Sequence, residues 1–476
     1  MPSPLLTPET RSIEFVPLTE RHGSPRSLFT LWFGANLQVT SIAAGALTVA
    51  VGLSLPWALL ATIIGTLVGA VFMALHSAQG PILGVPQMIQ SRAQFGYVGA
   101  VLPLVLVVLM YLGYFSTTAV QGGAALASLT HLDISAAIVV IIAVIVVVAV
   151  LGYPLIHAAQ KLLSILSGAA FLILTVCLLL NNDVAAVWTF DEFAWGPFVL
   201  AIAIGATWQL TYAPYVADYS RYLPPETSVA KSFWFSYAGT TIATIWMFGF
   251  GAVATAVAAD AFEGGSVDFI VGQAPFGHAA FYLIIIAGVI GIDALNLYGL
   301  FMSATTILNS LFRFRVTPAV RLSIIVVGAA VACAVSLVGR ENFLANFTNF
   351  ILLLAYFLIP WTSINLADFY LVRRERYNIR ALFDPAGEYG GIDWRTMLAY
   401  GIGIAVEVPF ISSDFYTGPL AQAFDGADIS WILGIFAAAV PYVALMHWFP
   451  MRRGFPPVST GAEAVAEEAS HLPSAR

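Results

Sequence analysis

Residues 31–49 read LWFGANLQVTSIAAGALTV. The run has the length and apolarity to cross a bilayer core, which takes about 20 residues. Its middle nevertheless holds Gly34, Asn36, Gln38 and Thr40. Asn36 and Gln38 are two apart, so a regular helix would aim them to nearly opposite sides. A break between Gly34 and Gln38 lets both serve one cavity. It also frees backbone amides and carbonyls at mid-membrane, as broken helices do in transporters built from inverted repeats. A second stretch matches the first in position and character. Residues 196–220, GPFVLAIAIGATWQLTYAPYVADYS, carry Gly205, then Thr207, Trp208 and Gln209, then Pro214. Counted in spans, the two lie five apart. An odd unit of five spans starts its second copy from the opposite face, which inverts the repeat.

The rest of the chain fits that frame. Of 476 residues, 59% are hydrophobic and only 9% charged, and the mean hydropathy is +0.87. A soluble domain carries about 25% charged residues, so most of this surface must face lipid. Apolar segments predict twelve spans, at 28–53, 55–76, 98–127, 134–153, 160–181, 194–217, 232–259, 277–302, 318–339, 343–368, 394–413 and 428–449. Residues 1–26 and 451–476 read as polar tails, the second disordered in composition. The first apolar run has no small-residue cleavage site behind it, so no cleaved signal peptide is expected. With the N-terminus inside, 18 of the 19 basic residues fall on the cytoplasmic side, and only Arg340, beside Glu341, falls outside. Asp183, Asp191, Glu192, Asp260 and Asp268 fall outside. That segregation predicts a multi-pass protein of the plasma membrane with both termini cytoplasmic.

Polar groups within spans are expensive and point to function. In the third span, YLGYFSTTAVQGG at 111–123, Tyr114, Thr118 and Gln121 share a face. They offer an aromatic plane and hydrogen-bonding groups to a flat polar ring, or serve as helix-to-helix ties beside Gly122 and Gly123. In the eighth span, IIIAGVIGIDALNLYGLFMSATT at 284–306, Asp293 is the only deep carboxylate of the first ten spans, and Asn296 is one turn on. A buried Asp293 needs a cation, a proton or a water-filled cavity. Glu407 reads as structural or peripheral, and Asp218 and Asp368, each followed by Arg, as surface salt bridges or caps. Cys177 and Cys333 lie in apolar runs, and the seven histidines form no H-x-x-x-H pair. No disulfide framework, structural metal site or cofactor is expected. Channel filters and catalytic constellations are missing from the pattern, which argues against a channel or an enzyme.

These residues resemble the nucleobase–cation symporters, the permeases for cytosine, purines, uracil, thiamine and allantoin. The likeness is carried chiefly by GPILGVPQMIQSRAQFGYVGAVLP at 80–103 and ADYSRYLP at 217–224. LWFGANLQ at 31–38, YLGYFSTTAVQGG at 111–123, NLYG at 296–299 and ADFYLVRRERY at 367–377 support it, and the pattern looks closest to the purine–cytosine branch. The resemblance implies an all-α membrane protein of LeuT type. Ten helices at 27–368 would form a 5+5 inverted repeat, with two peripheral helices at 369–450. It implies alternating access about a midplane site that clamps a planar heterocycle between aromatic side chains. By position these are Tyr114 or Phe115 and Trp208, with Gln38 and Asn296 reading the ring edge and Thr118 where an amide is expected. Sodium-coupled members use helix-1 carbonyls, here near Gly34 and Leu37, and a Ser/Thr pair on helix 8. No such pair stands beside Asn296; Ser303, Thr305 and Thr306 lie about two turns on. Asp293 stands near the expected ion position, which leaves sodium or a proton as coupling ion and tilts the balance to the proton. The implied partners are a small heterocycle and the lipid bilayer, with no nucleic acid; the oligomeric state is open and a monomer suffices. A same-fold carrier of another heterocycle or of an amino acid is the alternative.

Overall fold

The computed structural model describes residues 14–450, apart from 152, 192 and 313–316. Within them the chain is helical, with one isolated bridge between Ser412 and Thr417. In chain order the helices are α1 (Arg26–Ala35), α2 (Val39–Ala50), α3 (Leu55–Ser77), α4 (Gln79–Leu83), α5 (Gln87–Phe95), α6 (Val101–Thr130) and α7 (Ile134–Leu151). Then come α8 (Tyr153–Asn181), α9 (Trp195–Leu210), α10 (Val216–Ser220), α11 (Val229–Val257), α12 (Ala259–Gly272) and α13 (His278–Phe312). The last are α14 (Pro318–Gly339), α15 (Phe343–Ala367), α16 (Trp394–Glu407), α17 (Pro419–Ala423) and α18 (Ser430–Trp448). In lipid only intra-segment hydrogen bonding satisfies the backbone, so apolar runs of this length become helices. A helix occupies each of the expected segments. Among the described residues eight helices are long and apolar enough to cross a membrane alone, and the pair α1–α2, bent by 67°, makes a ninth. The helices α7, α9 and α16 are shorter.

Small residues set the closest crossing. A Cβ on Gly45 of α2 would lie 2.3 Å from Phe248 Cα of α11, and one on Gly251 of α11 would lie 1.9 Å from the Ile42 carbonyl oxygen. Backbone meets backbone there, which is how helices associate where lipid competes with apolar side chains. Among the eight helices that cross alone, α15 is the most enclosed, and α8 and α14 are the least.

The structure departs from the sequence expectations at several points. The eighth span, expected to end at 302, continues as helix to Phe312. Its polar tail is absorbed rather than terminal, because Thr306 Oγ1 donates to the Met302 carbonyl at 2.8 Å. The sixth span, expected at 194–217, is helical only to Leu210, with α10 following after turns through Pro214. The connector 80–103 folds into α4 and α5, and every residue of α5 is buried. Its polar residues are spent on neighbours: Gln87 Nε2 on Gln79 Oε1 (2.9 Å), Gln79 Nε2 on Asn365 Oδ1 (2.9 Å), and Arg92 on the Leu382 carbonyl (3.0 Å) and Ser310 Oγ (3.1 Å).

Within the expected N-terminal tail Val16 and Arg21 are buried; residues 1–13 and the expected disordered tail 451–476 lie outside the described residues. Arg21 donates to the Val16 carbonyl at 3.0 Å and to the Pro81 carbonyl at 2.7 Å. It lies against Gly84, whose φ of +64° and missing Cβ leave room for the guanidinium. Burial pulls the Arg21 pKa down to about 10, against a smaller upward pull from Glu226, so it stays charged at neutral pH. Arg221 reaches the Glu14 carbonyl at 3.2 Å, and Arg373 the Ala93 carbonyl at 2.7 Å. Four of the basic segments thus pack together at one end of the bundle.

Asp368 ties that end together. It is fully buried. It pairs with Arg373 at 2.9 Å and accepts from Tyr377 (2.7 Å), Tyr442 (2.6 Å) and Gln94 (2.8 Å). The expected salt bridge is therefore present, but in the interior and not at the surface. Asp218 caps α5 instead, accepting from the Gln87 backbone N–H at 2.7 Å. Removing one partner of a buried ion pair leaves the other uncompensated, at about 3–5 kcal/mol. Asp368→Asn and Arg373→Met should each lower the melting temperature in detergent markedly, and the double variant less than their sum. Additive losses on thermal unfolding would show that the two side chains are not coupled.

Candidate functional site

The site is organised by the break between α1 and α2. Asn36 ends α1 at φ −90°, ψ −8°, and Gln38 is extended at φ −145°, ψ 155°. Asn36 is fully buried. Its Oδ1 accepts from Trp208 Nε1 (2.8 Å), Tyr212 OH (3.0 Å) and Thr244 Oγ1 (2.9 Å). Its Nδ2 donates to the Trp32 carbonyl (2.9 Å) and Thr240 Oγ1 (3.2 Å). Thr240 donates on to Gln209 Oε1 (2.6 Å), whose Nε2 donates to Thr244 Oγ1 (2.8 Å). The four side chains close a ring of hydrogen bonds across α1, α9 and α11.

That ring aims Trp208. Its indole is buried and meets Tyr114 of α6 edge to face, with centroids 5.8 Å apart and planes at 84°. Tyr114 OH donates to Thr211 Oγ1 at 3.0 Å, and its ring meets Phe350 of α15 at 5.2 Å. Of the two aromatic candidates on α6, Tyr114 is the one that meets Trp208. Phe115 is fully buried in an apolar cluster with Leu297 and Phe301 of α13. The rings of Tyr114 and Trp208 touch and stand perpendicular, so a planar solute enters between them only after they part.

The remaining candidates divide. Gln38 Nε2 donates to the Ala35 carbonyl at 3.1 Å, while its Oε1 is buried without a partner. Thr118 Oγ1 is turned to its own helix, donating to the Tyr114 carbonyl at 2.7 Å. The Gly34 carbonyl accepts from the Leu37 N–H at 3.1 Å, and the Leu37 side chain joins the apolar cluster that holds Phe115. On α13, Asn296 Nδ2 donates to Asp293 Oδ1 at 3.0 Å; Asp293 is fully buried and its Oδ2 has no partner. Among the described residues no group of three His, Cys, Asp or Glu could hold a metal.

Sequence reasoning did not find α8 as a wall of this region. A Cβ on Gly34 would lie 2.6 Å from Ser164 Oγ, and Gly168 faces Leu37 at 3.3 Å. Gly288 of α13 faces Ser167 Oγ at 4.0 Å. Two serines of α8 thus lie between the break and the Asp293 helix. Glu407, read as structural, lies away from the break, buried in α16 with its Oε1 where a side chain on Gly434 of α18 would stand.

A cavity of about 380 Å³ opens at the far end of α6 from α5. It is lined by Val120, Gln121 and Ala124, by α12 around Gly265, and by the chain entering α15 from Arg340. Gln38, Tyr114, Trp208 and Asn296 do not line it.

Comparisons with known proteins bear on the family and the fold. Residues 15–434 match the family described as permease for cytosine/purines, uracil, thiamine, allantoin. YxlA of Bacillus subtilis, which carries the name of a purine-cytosine permease, is 46% identical over 440 residues, covering 92% of this chain and 96% of its own. The purine-cytosine permease fcyB of Emericella nidulans is 27% identical, covering 92% and 88%. Among solved structures, Mhp1, a nucleobase-cation-symport-1 family transporter in a closed conformation with bromovinylhydantoin bound, superposes with a TM-score of 0.73. It is 23% identical and covers 98% of this chain and 99% of its own, so that likeness speaks for the fold. The chain belongs to the cytosine/purine, uracil, thiamine and allantoin permease family, in its purine–cytosine branch, and is a multi-pass membrane transporter rather than an enzyme.

Proposed function

We propose that the chain is a symporter that imports a purine or pyrimidine base, such as cytosine, adenine or hypoxanthine, by alternating access. The observation that carries this reading is the Tyr114–Trp208 pair, held against the broken helix by Asn36. A nucleobase has two π-faces and an edge of donors and acceptors. Aromatic faces supply affinity, and amides, each both donor and acceptor, supply discrimination. Tyr114 and Trp208 take the faces, Gln38 and Asn296 read the edge, and Thr118 and Phe115 back the aromatic wall. The names of YxlA and fcyB favour a purine or cytosine over the other solutes of the family.

In this reading the twelve helical segments all cross the plasma membrane. The first ten form two inverted copies of five, and α16 and α18 are peripheral. The end that gathers Arg21, Arg92, Arg221 and Arg373 is cytoplasmic, in keeping with the bias of basic residues to that side. Asp293 is the coupling group. The lack of a Ser/Thr pair beside Asn296, with Ser303, Thr305 and Thr306 about two turns on, favours a proton over sodium as the coupled ion.

Uptake of labelled cytosine, adenine, hypoxanthine, guanine and uracil into proteoliposomes, under a proton or a sodium gradient, tests the substrate class and the ion together. One base accumulating under the proton gradient is the expected result; no base under either gradient would move the substrate to another heterocycle. Trp208→Ala and Asn296→Ala should abolish binding of the transported base while the protein stays folded in detergent. Normal binding by either variant would displace the site. Asp293→Asn should still bind base but no longer accumulate it against its gradient, and wild-type dependence on the gradient would remove Asp293 from coupling.

A further inference from the structure

The polar side chain that α6 turns toward the cavity at its far end is not used by the site described above. Gln121 is two turns beyond Tyr114, about 10 Å along the helix axis, and it lines the cavity of about 380 Å³. It is 2% exposed. Thr40, in the first turn of α2, donates to Gln121 Oε1 at 2.8 Å, which fixes the amide against the outer half of the broken helix. Gln121 Nε2 is buried and has no acceptor. A buried donor without a partner is a standing cost that an arriving acceptor removes. The cavity is large enough for one small heterocycle, and its wall at Ala124 and Val120 is apolar.

We propose that Gln121 is a specificity-determining residue, whose amide N–H₂ binds a ring nitrogen or exocyclic oxygen of the heterocycle as it passes from this cavity to the aromatic pair. The proposal rests on the transport reading and refines it. It assigns to the outer cavity the selection of solutes with an acceptor on the edge that leads into the site. Val120 and Ala124 give the ring an apolar surface beside Gln121, while Asp268, Arg340, Glu341 and Asn342 also line the cavity. The oriented amide, on the helix face that carries Tyr114, discriminates among rings. The rival role for Gln121 is a tie between α6 and α2 through Thr40, without contact to solute.

Two measurements separate these roles. The first is uptake kinetics of Gln121→Met and Gln121→Asn in proteoliposomes, using cytosine, adenine and hypoxanthine, with melting temperature read alongside. The expected result is a KM raised about tenfold or more for the transported base, a changed ranking of the three bases as competitors, and a melting temperature close to wild type. Unchanged KM and ranking, or a uniform loss for all bases with a lowered melting temperature, would leave Gln121 as a tie and overturn the proposal. The second is independent of substrate identity. Ala124→Cys, in a background with Cys177 and Cys333 replaced, should react with a membrane-impermeant thiol reagent added to the side opposite the basic cluster. Failure to label from that side would remove the cavity from the access path. If wild-type protein carries none of the bases, the nucleobase reading fails and the substrate is another heterocycle, and the kinetics of the Gln121 variants are not what overturns it.

Discussion

A helix broken inside a membrane exposes backbone and polar side chains where no water can satisfy them. In this protein the break at Asn36–Gln38 is tolerable because Asn36 spends its whole amide on neighbours. The closed ring through Thr240, Gln209 and Thr244 means that each donor has a defined acceptor, so the arrangement is single-valued. The same side chain that closes the ring holds the Trp208 indole. The geometry of the aromatic pair is therefore set by the requirement to satisfy the break. Moving Trp208 away from Tyr114 costs either the Asn36 hydrogen bond or a joint movement of α1 with α9. The second route conserves the hydrogen bonds, and it is the kind of rigid displacement that alternating access needs.

The two ends of the bundle are built differently. At the basic end, α4 and α5 fill the mouth with buried glutamines, a buried arginine and the Asp368 network. At the other end, a cavity reaches Gln121. Sealing with polar groups has a consequence that sealing with leucine would not. Each partner released when such a seal parts becomes a group that water can solvate, so a seal of amides opens into water at small net cost. An apolar seal pays for every square ångström it exposes. The buried polar residues of 84–97 set this connector between α3 and α6 apart from the apolar spans around it.

Much of this was legible in the sequence because lipid imposes simple rules. Apolar length predicted a helix in every expected segment, and the crowding of Gly34, Asn36 and Gln38 predicted the break where it occurs. The family resemblance implied an aromatic pair of Trp208 with Tyr114 or Phe115, and the structure brings Tyr114 to Trp208. What was not legible depended on partners distant in sequence. Nothing local says that Asn36 would be consumed by α9 and α11, leaving Gln38 with the free oxygen. Asp368 read as a surface pair because an Arg follows it, yet Tyr377, Tyr442 and Gln94 draw it inside. The eighth span read as ending at 302, although Thr306, whose hydroxyl bonds back to the Met302 carbonyl, does not end it. Ser164 and Ser167 carry no signal in a run of apolar residues, and only the packing of α8 against Gly34 and Gly288 brings them to the site.

The contrast between Asn36 and Asp293 indicates where the transport cycle has freedom. Asn36 is fully satisfied and has nothing left to offer a solute. Asp293 is equally buried but has one oxygen tied to Asn296 and one tied to nothing. A charge left so in the interior would be severely penalised, whereas a neutral or cation-bound carboxyl is not. In the proposed reading, the occupant of Oδ2 would decide the stability of this arrangement. Because Asn296 donates to the other oxygen of the same carboxyl, the side chain proposed to read the solute senses that occupant directly. In the proposed reading, solute and ion would act on one hydrogen-bonded pair, which would give their binding energies a route to depend on each other. A site with the amide and the carboxyl on separate helices would need a conformational relay for the same linkage. Placed one turn apart on α13, they need only share a hydrogen bond.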